Sequence, residues 1–202
     1  RKKISVLNPL LVSIIFVIAV IKIFHIDYET YNSGAKYISY LLTPATVCLA
    51  IPLYRQISVL KEHAKEVFIG ILAGVLASMG SILLMSYLFG LTHEQYVTLL
   101  PKSITTAIGM GVSEELGGIQ TITVAVIIIT GVLGNIIAEA VLKIFRIKEP
   151  VAKGLAIGTA SHAIGTTKAL EIGEIEGAMS SLSVAVAGLM TVISASIFAN
   201  MM

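Results

Sequence analysis

Long apolar runs alternate with short polar connectors along this chain. Residues 4–21 carry no charge and lie between Arg1, Lys2 and Lys3 on one side and Lys22 on the other. Residues 37–54, 67–92, 119–138 and 178–202 form four further runs. A helix crosses a hydrocarbon core with about 17 residues or more, so each run predicts a spanning helix. Pro44 and Pro52 fall inside the second run. Proline removes a backbone donor and clashes with the preceding turn, so a kink or break is expected around Thr43-Pro44-Ala45-Thr46. Residues 25–36, with Tyr28, Tyr31, Asp27 and Glu29, read as an interfacial loop, and residues 55–66 as a polar connector.

Two stretches do not fit the alternation. In residues 153–177, KGLAIGTASHAIGTTKALEIGEIEG, the uncharged part covers only 14 residues, 154–167. That is too short to cross, and glycines, hydroxyls and a histidine interrupt it. Backbone freed from a helix must be satisfied by protein or by water in a cavity, so this segment reads as a dip rather than a span. A similar stretch, PKSITTAIGMGVSEELGG, occupies residues 101–118. At one offset of 56 positions, Ala107-Ile108-Gly109 aligns with Ala163-Ile164-Gly165, Glu115 with Glu171, and Gly117 with Gly173. Helix breaks are expected at Gly109 and Gly165 as well as at Pro44.

Composition makes the setting a membrane: 56% of residues are hydrophobic and 13% charged, against about 45–50% and 25% in soluble domains. The net charge of +2 matters only through its distribution. Arg1, Lys2, Lys3, Arg55, Lys61, Lys65, Lys143, Arg146, Lys148 and Lys153 fall in three segments, which the positive-inside rule places in the cytoplasm. Alternate threading then puts residues 90–96 outside, yet the run from residue 119 must also begin outside to end at the basic connector. The first dip must therefore enter and leave by the outer face, and by the same count the second uses the inner face. This is an inverted repeat, the arrangement that places solute sites near the midplane of secondary transporters.

The expected fold is all-α and integral to the membrane: a polytopic helical bundle with two oppositely oriented re-entrant or broken-helix segments. It forms one transmembrane domain over residues 1–202, with N-terminal helices in 1–97, the first dip and its span in 98–142, and the second in 154–202. A chain that opens on Arg1 is expected to have residues upstream.

Candidate chemistry concentrates in the dips. Ser161, His162, Thr166 and Thr167 would suit a small hydroxy- or keto-acid anion, unless the hydroxyls back-bond to helix carbonyls and the ring packs between helices. Thr105 and Thr106 are the repeat counterparts of Ser161 and His162. Glu114 and Glu115, after Ser113, either couple transport to protons or cations or cap a helix N-terminus. Lys168 and Glu171 read as a surface pair, and Glu139 as approaching the interface near Lys143. The single cysteine, Cys48, excludes an internal disulfide and a cysteine metal cluster. There is no metal-ligand spacing, nucleophile elbow or phosphate loop, so no metal, cofactor, enzymatic activity or nucleic-acid partner is expected.

The run GLAIGTASHAIGTTKALEIGEIEGAMSSL, with KSITTAIGMGVSEELGG, PATVCLAIPLY and FRIKEPVAKG upstream, resembles the LrgB/CidB family of bacterial membrane proteins from Asn8 onward. The resemblance implies a smaller LrgA/CidA-like membrane partner and a role first described as antiholin- or holin-like control of murein hydrolases. Related proteins look like transporters of small carboxylates, among them pyruvate uptake systems and the plastidal glycolate/glycerate translocator. The expectation is a multi-pass transporter subunit for a small monocarboxylate in the bacterial inner membrane. The alternative is a regulator of lysis. The GxxxG at Gly70 and Gly74 reads as helix packing more than dimerisation, while exposed small-residue faces such as this one add the expectation of at least a homodimer.

Overall fold

The computed structural model describes residues 9–41, 44 and 50–202. The helices are α1 (Pro9–Ile23), α2 (Tyr28–Ser39), α3 (Ala50–Arg55), α4 (Ile57–Glu62), α5 (Ala64–Phe89), α6 (His93–Leu99), α7 (Thr106–Glu115), α8 (Gln120–Ile144), α9 (Pro150–Ile172) and α10 (Glu174–Ala199). The chain divides into two compact units, Arg1–Ile51 and Pro52–Met202.

In the first unit the described helix α1 holds 15 residues, apolar apart from Ser13 and Lys22, which is shorter than the spanning helix its run predicts; residues 4–8 of that run lie outside the described residues. The stretch expected as a loop, residues 25–36, is instead mostly helix. Asp27 caps α2, accepting the Thr30 amide at 2.8 Å and the Thr30 hydroxyl at 2.6 Å. These two bonds, the hydroxyl's first, hold the Asp27 carboxyl below its usual range. An aspartate N-cap followed by Glu29 in the first turn is a helix start, a signal that outweighs the polarity of the segment. Of the break expected around Pro44 the structure describes Pro44 alone, and Cys48 lies outside the described residues.

The second unit is built on α5, α8 and α10, of 26, 25 and 26 residues, each long and apolar enough to cross a membrane. At 1.5 Å per residue each is roughly 38 Å long, against about 30 Å of hydrocarbon. Each outlasts its apolar run at one end, α5 through Lys65 and Glu66, because charged residues suit helix ends. Glu174 and Glu176 occupy the first turn of α10, where carboxylates complement the dipole. Glu139 and Lys143 pair one turn apart at 3.8 Å near the end of α8. On α5, Val67, Ile71, Val75, Met79 and Ile82 recur at helical spacing and are buried, while Phe68, Ile69, Leu72 and Leu76 face outward. A helix apolar on both faces belongs in lipid.

Cross-links at the two ends fix the helix directions. At one end the Tyr87 hydroxyl bonds the Met201 carbonyl, His93 Nδ1 lies 2.7 Å from the Met202 carbonyl oxygen, and Tyr96 donates to Phe198 O at 2.9 Å. At the other, Arg55 lies 3.9 Å from Glu174 and Lys153 3.4 Å from Glu176. Thus α5 and α10 run the same way. Helix α8 runs against them, starting beside Thr98, which accepts the Ile119 amide at 2.8 Å, and ending beside Lys168.

Candidate functional site

The two segments that interrupt the alternation both reverse direction. Helix α9 breaks at His162, whose φ of 43° and ψ of −145° no helix contains. Before the break Gly154 faces Glu176 and Met179, and Gly158 faces Ser180 and Ser183. After it, the hydroxyls of Thr166 and Ser180 bond at 2.8 Å, and Leu170 packs on Gly177. Eight residues of straight helix cover about 12 Å, yet Gly158 and Thr166 meet the same Ser180. The contacts climb α10 and then descend it, so the halves of α9 are the legs of a hairpin.

The return leg is fastened to α8. His162 Nε2–H donates to the Ile127 carbonyl at 2.9 Å, and Asn135 Nδ2 donates to Ile164 O at 3.0 Å and to Thr167 Oγ1 at 2.8 Å. Lower down, Lys168 reaches Glu139 at 2.6 Å and Glu171 at 3.2 Å. Lys168 therefore bridges two elements in addition to forming the surface pair read from its spacing.

The other segment turns back from the opposite end. Thr98 in α6 lies beside Gly118 and Ile119, and Pro101 beside Gly109, which itself packs on Ile127. Helix α7 then returns, and Thr123 of α8 donates to Ser113 Oγ at 2.7 Å and to Thr98 O at 2.9 Å.

Neither glycine sits at a break. The interruption before α7 falls at residues 100–105, and that in α9 at His162, so Gly109 and Gly165 lie within the returning helices. Their role is close approach: a Cβ on Gly109 would run into Ile127, and one on Gly165 into Ser161 and Ile157.

Behind the hairpin tips lies an open-sided cleft of about 800 Å³ between α5 and the outgoing leg of α9. It extends from His63, Glu66 and Glu149 at the basic end to Ser78, Lys102, Ser103 and Thr159. Lys102 Nζ donates to Ser103 Oγ at 2.8 Å and makes a longer contact with Ser78 Oγ at 3.4 Å, and Ser78 donates to Ser103 at 3.0 Å. Among the described residues no carboxylate lies within ion-pair distance of Lys102. The Thr159 hydroxyl is turned back onto Leu155 O at 2.8 Å. Gly70 and Gly74 serve helix packing, as their spacing reads, lying against Leu155 and Thr159 of α9 in the same chain rather than on an open face.

None of the six residues expected to hold substrate lines this cleft. His162 and Thr166 are buried in the hydrogen bonds above, Ser161 packs on Gly134, and Thr167 donates to Ile164 O at 2.8 Å. Thr105 caps α7 by position and Thr106 opens it. At the offset of 56, Thr106 corresponds to His162, and each stands where a return leg begins. Glu114 and Glu115 are exposed and end α7, with the next helix starting only at Gln120, so Ser113-Glu114-Glu115 is not a helix N-terminus. Lys102 escaped the sequence reading because it stands next to Pro101 at the edge of an apolar run, where a lysine reads as an interface anchor. Ser78 sits inside a spanning run with no mark of its own. Asn135, in the middle of α8, was a legible signal, since a polar side chain within an apolar span needs a partner.

Residues 1–201 match the family described as LrgB-like. Antiholin-like protein LrgB of Bacillus mycoides (strain KBAB4) and of Bacillus cereus (strain B4264) are each 39% identical over 186 residues, covering 92% of this chain and 81% of the relative. The Bacillus anthracis (strain CDC 684 / NRRL 3495) protein of the same name shows the same identity and coverage. No solved structure matches the chain. A helical bundle with three apolar helices of spanning length, matched to one family over nearly its whole length, makes this chain a member of the LrgB-like family.

Proposed function

We propose that this protein is a multi-pass transporter subunit for a small monocarboxylate, acting with an LrgA/CidA-like partner in a bacterial inner membrane. The observation that carries the reading is the pair of oppositely directed chain reversals whose tips meet at the cleft. The outgoing leg of α9 delivers Thr159 to the position where the first segment delivers Lys102 and Ser103. The legs of α9 hold 12 and 10 residues on either side of His162, roughly 15–18 Å each, which is half a bilayer. In the membrane they read as re-entrant hairpins of an inverted repeat, the form in which broken helices bring polar groups to the midplane of secondary transporters. The cleft extends to the basic end, so the conformation is open on the cytoplasmic side. The protein moves solute without covalent chemistry. Its outward apolar faces are covered by lipid, by the partner and by at least one further copy.

The test is uptake of radiolabelled pyruvate and glycolate into proteoliposomes holding this chain with and without its LrgA-like partner. Saturable uptake in at least the paired vesicles is expected. Absence of uptake in both preparations, with altered murein hydrolase activity in cells, would instead favour control of lysis. That second reading has its own support in the antiholin-like name of the relatives.

A further inference from the structure

We infer that Lys102 is the carboxylate anchor of the cleft and that the cleft selects monoanions. The proposal rests on the transport reading for its substrate class and adds the residue, the charge and the selectivity. Lys102 is the only lysine or arginine among the described residues that line the cleft. Its ammonium is met by the hydroxyls of Ser103 and Ser78. Hydroxyls supply dipoles but no charge, and a charged group within a membrane segment is ordinarily paired or faces a water-filled cavity. The depth is that of the midplane: Ser78 lies about 21 Å along α5 from its start. An anion entering the cleft supplies the missing counter-charge.

The shape and the remaining charges define the anion. On the inner side of Ser78, Ser103 and Thr159, toward Ala187 and Thr191 of α10, the packing leaves only about 10 Å³, too little for more than about one water. The carboxylate therefore stops at Lys102, and the rest of the ligand lies in the cleft. Ser78 and Ser103 stand beside the ammonium, placed to bond an oxygen on the neighbouring carbon of a 2-oxo or 2-hydroxy acid. The other ionisable groups lining the cleft, Glu66, Glu149 and His63, lie toward the basic end, roughly 18 Å from Ser78 in the case of Glu66. No second lysine or arginine among the described residues lines the cleft, so a second negative charge on the ligand finds no counter-ion there.

The experiment measures binding by the thermal shift of the purified full chain in lipid nanodiscs, with pyruvate, glycolate, pyruvamide and succinate as probes. Pyruvate and glycolate are expected to stabilise the protein, pyruvamide to have no effect, and succinate to bind at least about 10-fold more weakly. Lys102→Met should unfold at or above the wild-type temperature without ligand, because it removes an unpaired charge, and should lose carboxylate affinity by at least about 30-fold. Lys102→Arg keeps the charge and should retain measurable binding, and Arg146→Gln, in the separate basic hollow beside α8, should bind as wild type. Undiminished carboxylate binding by Lys102→Met, or equal stabilisation by pyruvamide, would overturn the anchor. Equal binding of succinate would overturn the monoanion selectivity. Should Lys102→Met not fold, the wild-type contrast between acid and amide and the Lys102→Arg result still decide the question. Binding through Lys102 without uptake in paired proteoliposomes would leave the anchor standing and defeat the transport reading. Uptake by a wild type that shows no carboxylate binding at millimolar concentration would defeat the anchor alone.

Discussion

His162 holds a backbone conformation, φ 43° and ψ −145°, that is sparsely populated for a residue with a Cβ. Such a state costs roughly 1–3 kcal/mol and persists only where the surroundings over-determine it. Here they do: the ring donates to Ile127 O, the His162 carbonyl accepts the Thr166 hydroxyl at 3.1 Å, and Gly131 leaves space for the imidazole. Two substitutions separate the backbone from the ring. His162→Ala and His162→Gly lose the same hydrogen bond and nearly the same packing, but glycine accepts positive φ without penalty. His162→Gly should therefore be more stable than His162→Ala by about 1 kcal/mol, read as midpoints of unfolding in the same detergent. The reverse order would mean that the ring alone holds the turn. Because His162 lies outside the cleft lining, each variant should transport in proportion to its folded fraction.

At the scale of elements, the returning helices depend on glycines that let them close on their neighbours. Gly109 meets Ile127 of α8, while Gly165 meets Ser161 and Ile157 of its own hairpin. A leucine at either position has to displace packed residues, which typically costs about 1–3 kcal/mol or more. Gly109→Leu and Gly165→Leu should lower the yield of folded protein, whereas Gly111→Leu, on an open face of α7, should be tolerated. Size-exclusion profiles of the three variants test this, and a monodisperse Gly109→Leu protein at wild-type yield would remove the close-approach argument. The ion pairs play a smaller part. Lys168 joins Glu139 and Glu171 at the foot of the hairpin, but both carboxylates are about half exposed, at 47% and 54%, and exposed pairs contribute about 1 kcal/mol or less.

For the second unit as a whole, the cross-links at its ends make a topological prediction. Glu174 belongs with Arg55 at one end, and His93 with Met202 at the other. Single cysteines at His93 and Glu94 should react with an impermeant maleimide in intact cells, and cysteines at Lys148 and Glu174 only after permeabilisation. Reaction of a cysteine at Glu174 from outside would mean that α9 crosses the membrane, and the opposed hairpins would be lost. The same geometry explains the direction of the cleft, since α5 and the outgoing leg of α9 both begin at the basic end.

The sequence by itself determined the membrane class, the three long helices of the second unit and the two stretches that interrupt the alternation of long apolar helices. Length and hydropathy are local quantities, and the bilayer imposes them on every spanning helix. At the offset of 56, Thr106 and His162 fall at the two interruptions, the start of α7 and the break in α9. The tertiary structure decided which residues meet. His162 and Thr166, conspicuous as polar groups in an apolar segment, are consumed in holding the hairpin, while Ser78 lies unmarked in a spanning run and Lys102 and Ser103 open the 101–118 stretch without standing out as individual residues. Ser78 and Lys102 are separated by a full turn-around of the chain between α5 and α6. Their hydrogen bond with Ser103 arises only when a descending segment, read from one end, is packed against a helix that began at the other. Periodicity cannot register that juxtaposition, since hydropathy reports where a residue sits in depth and not which helix stands beside it.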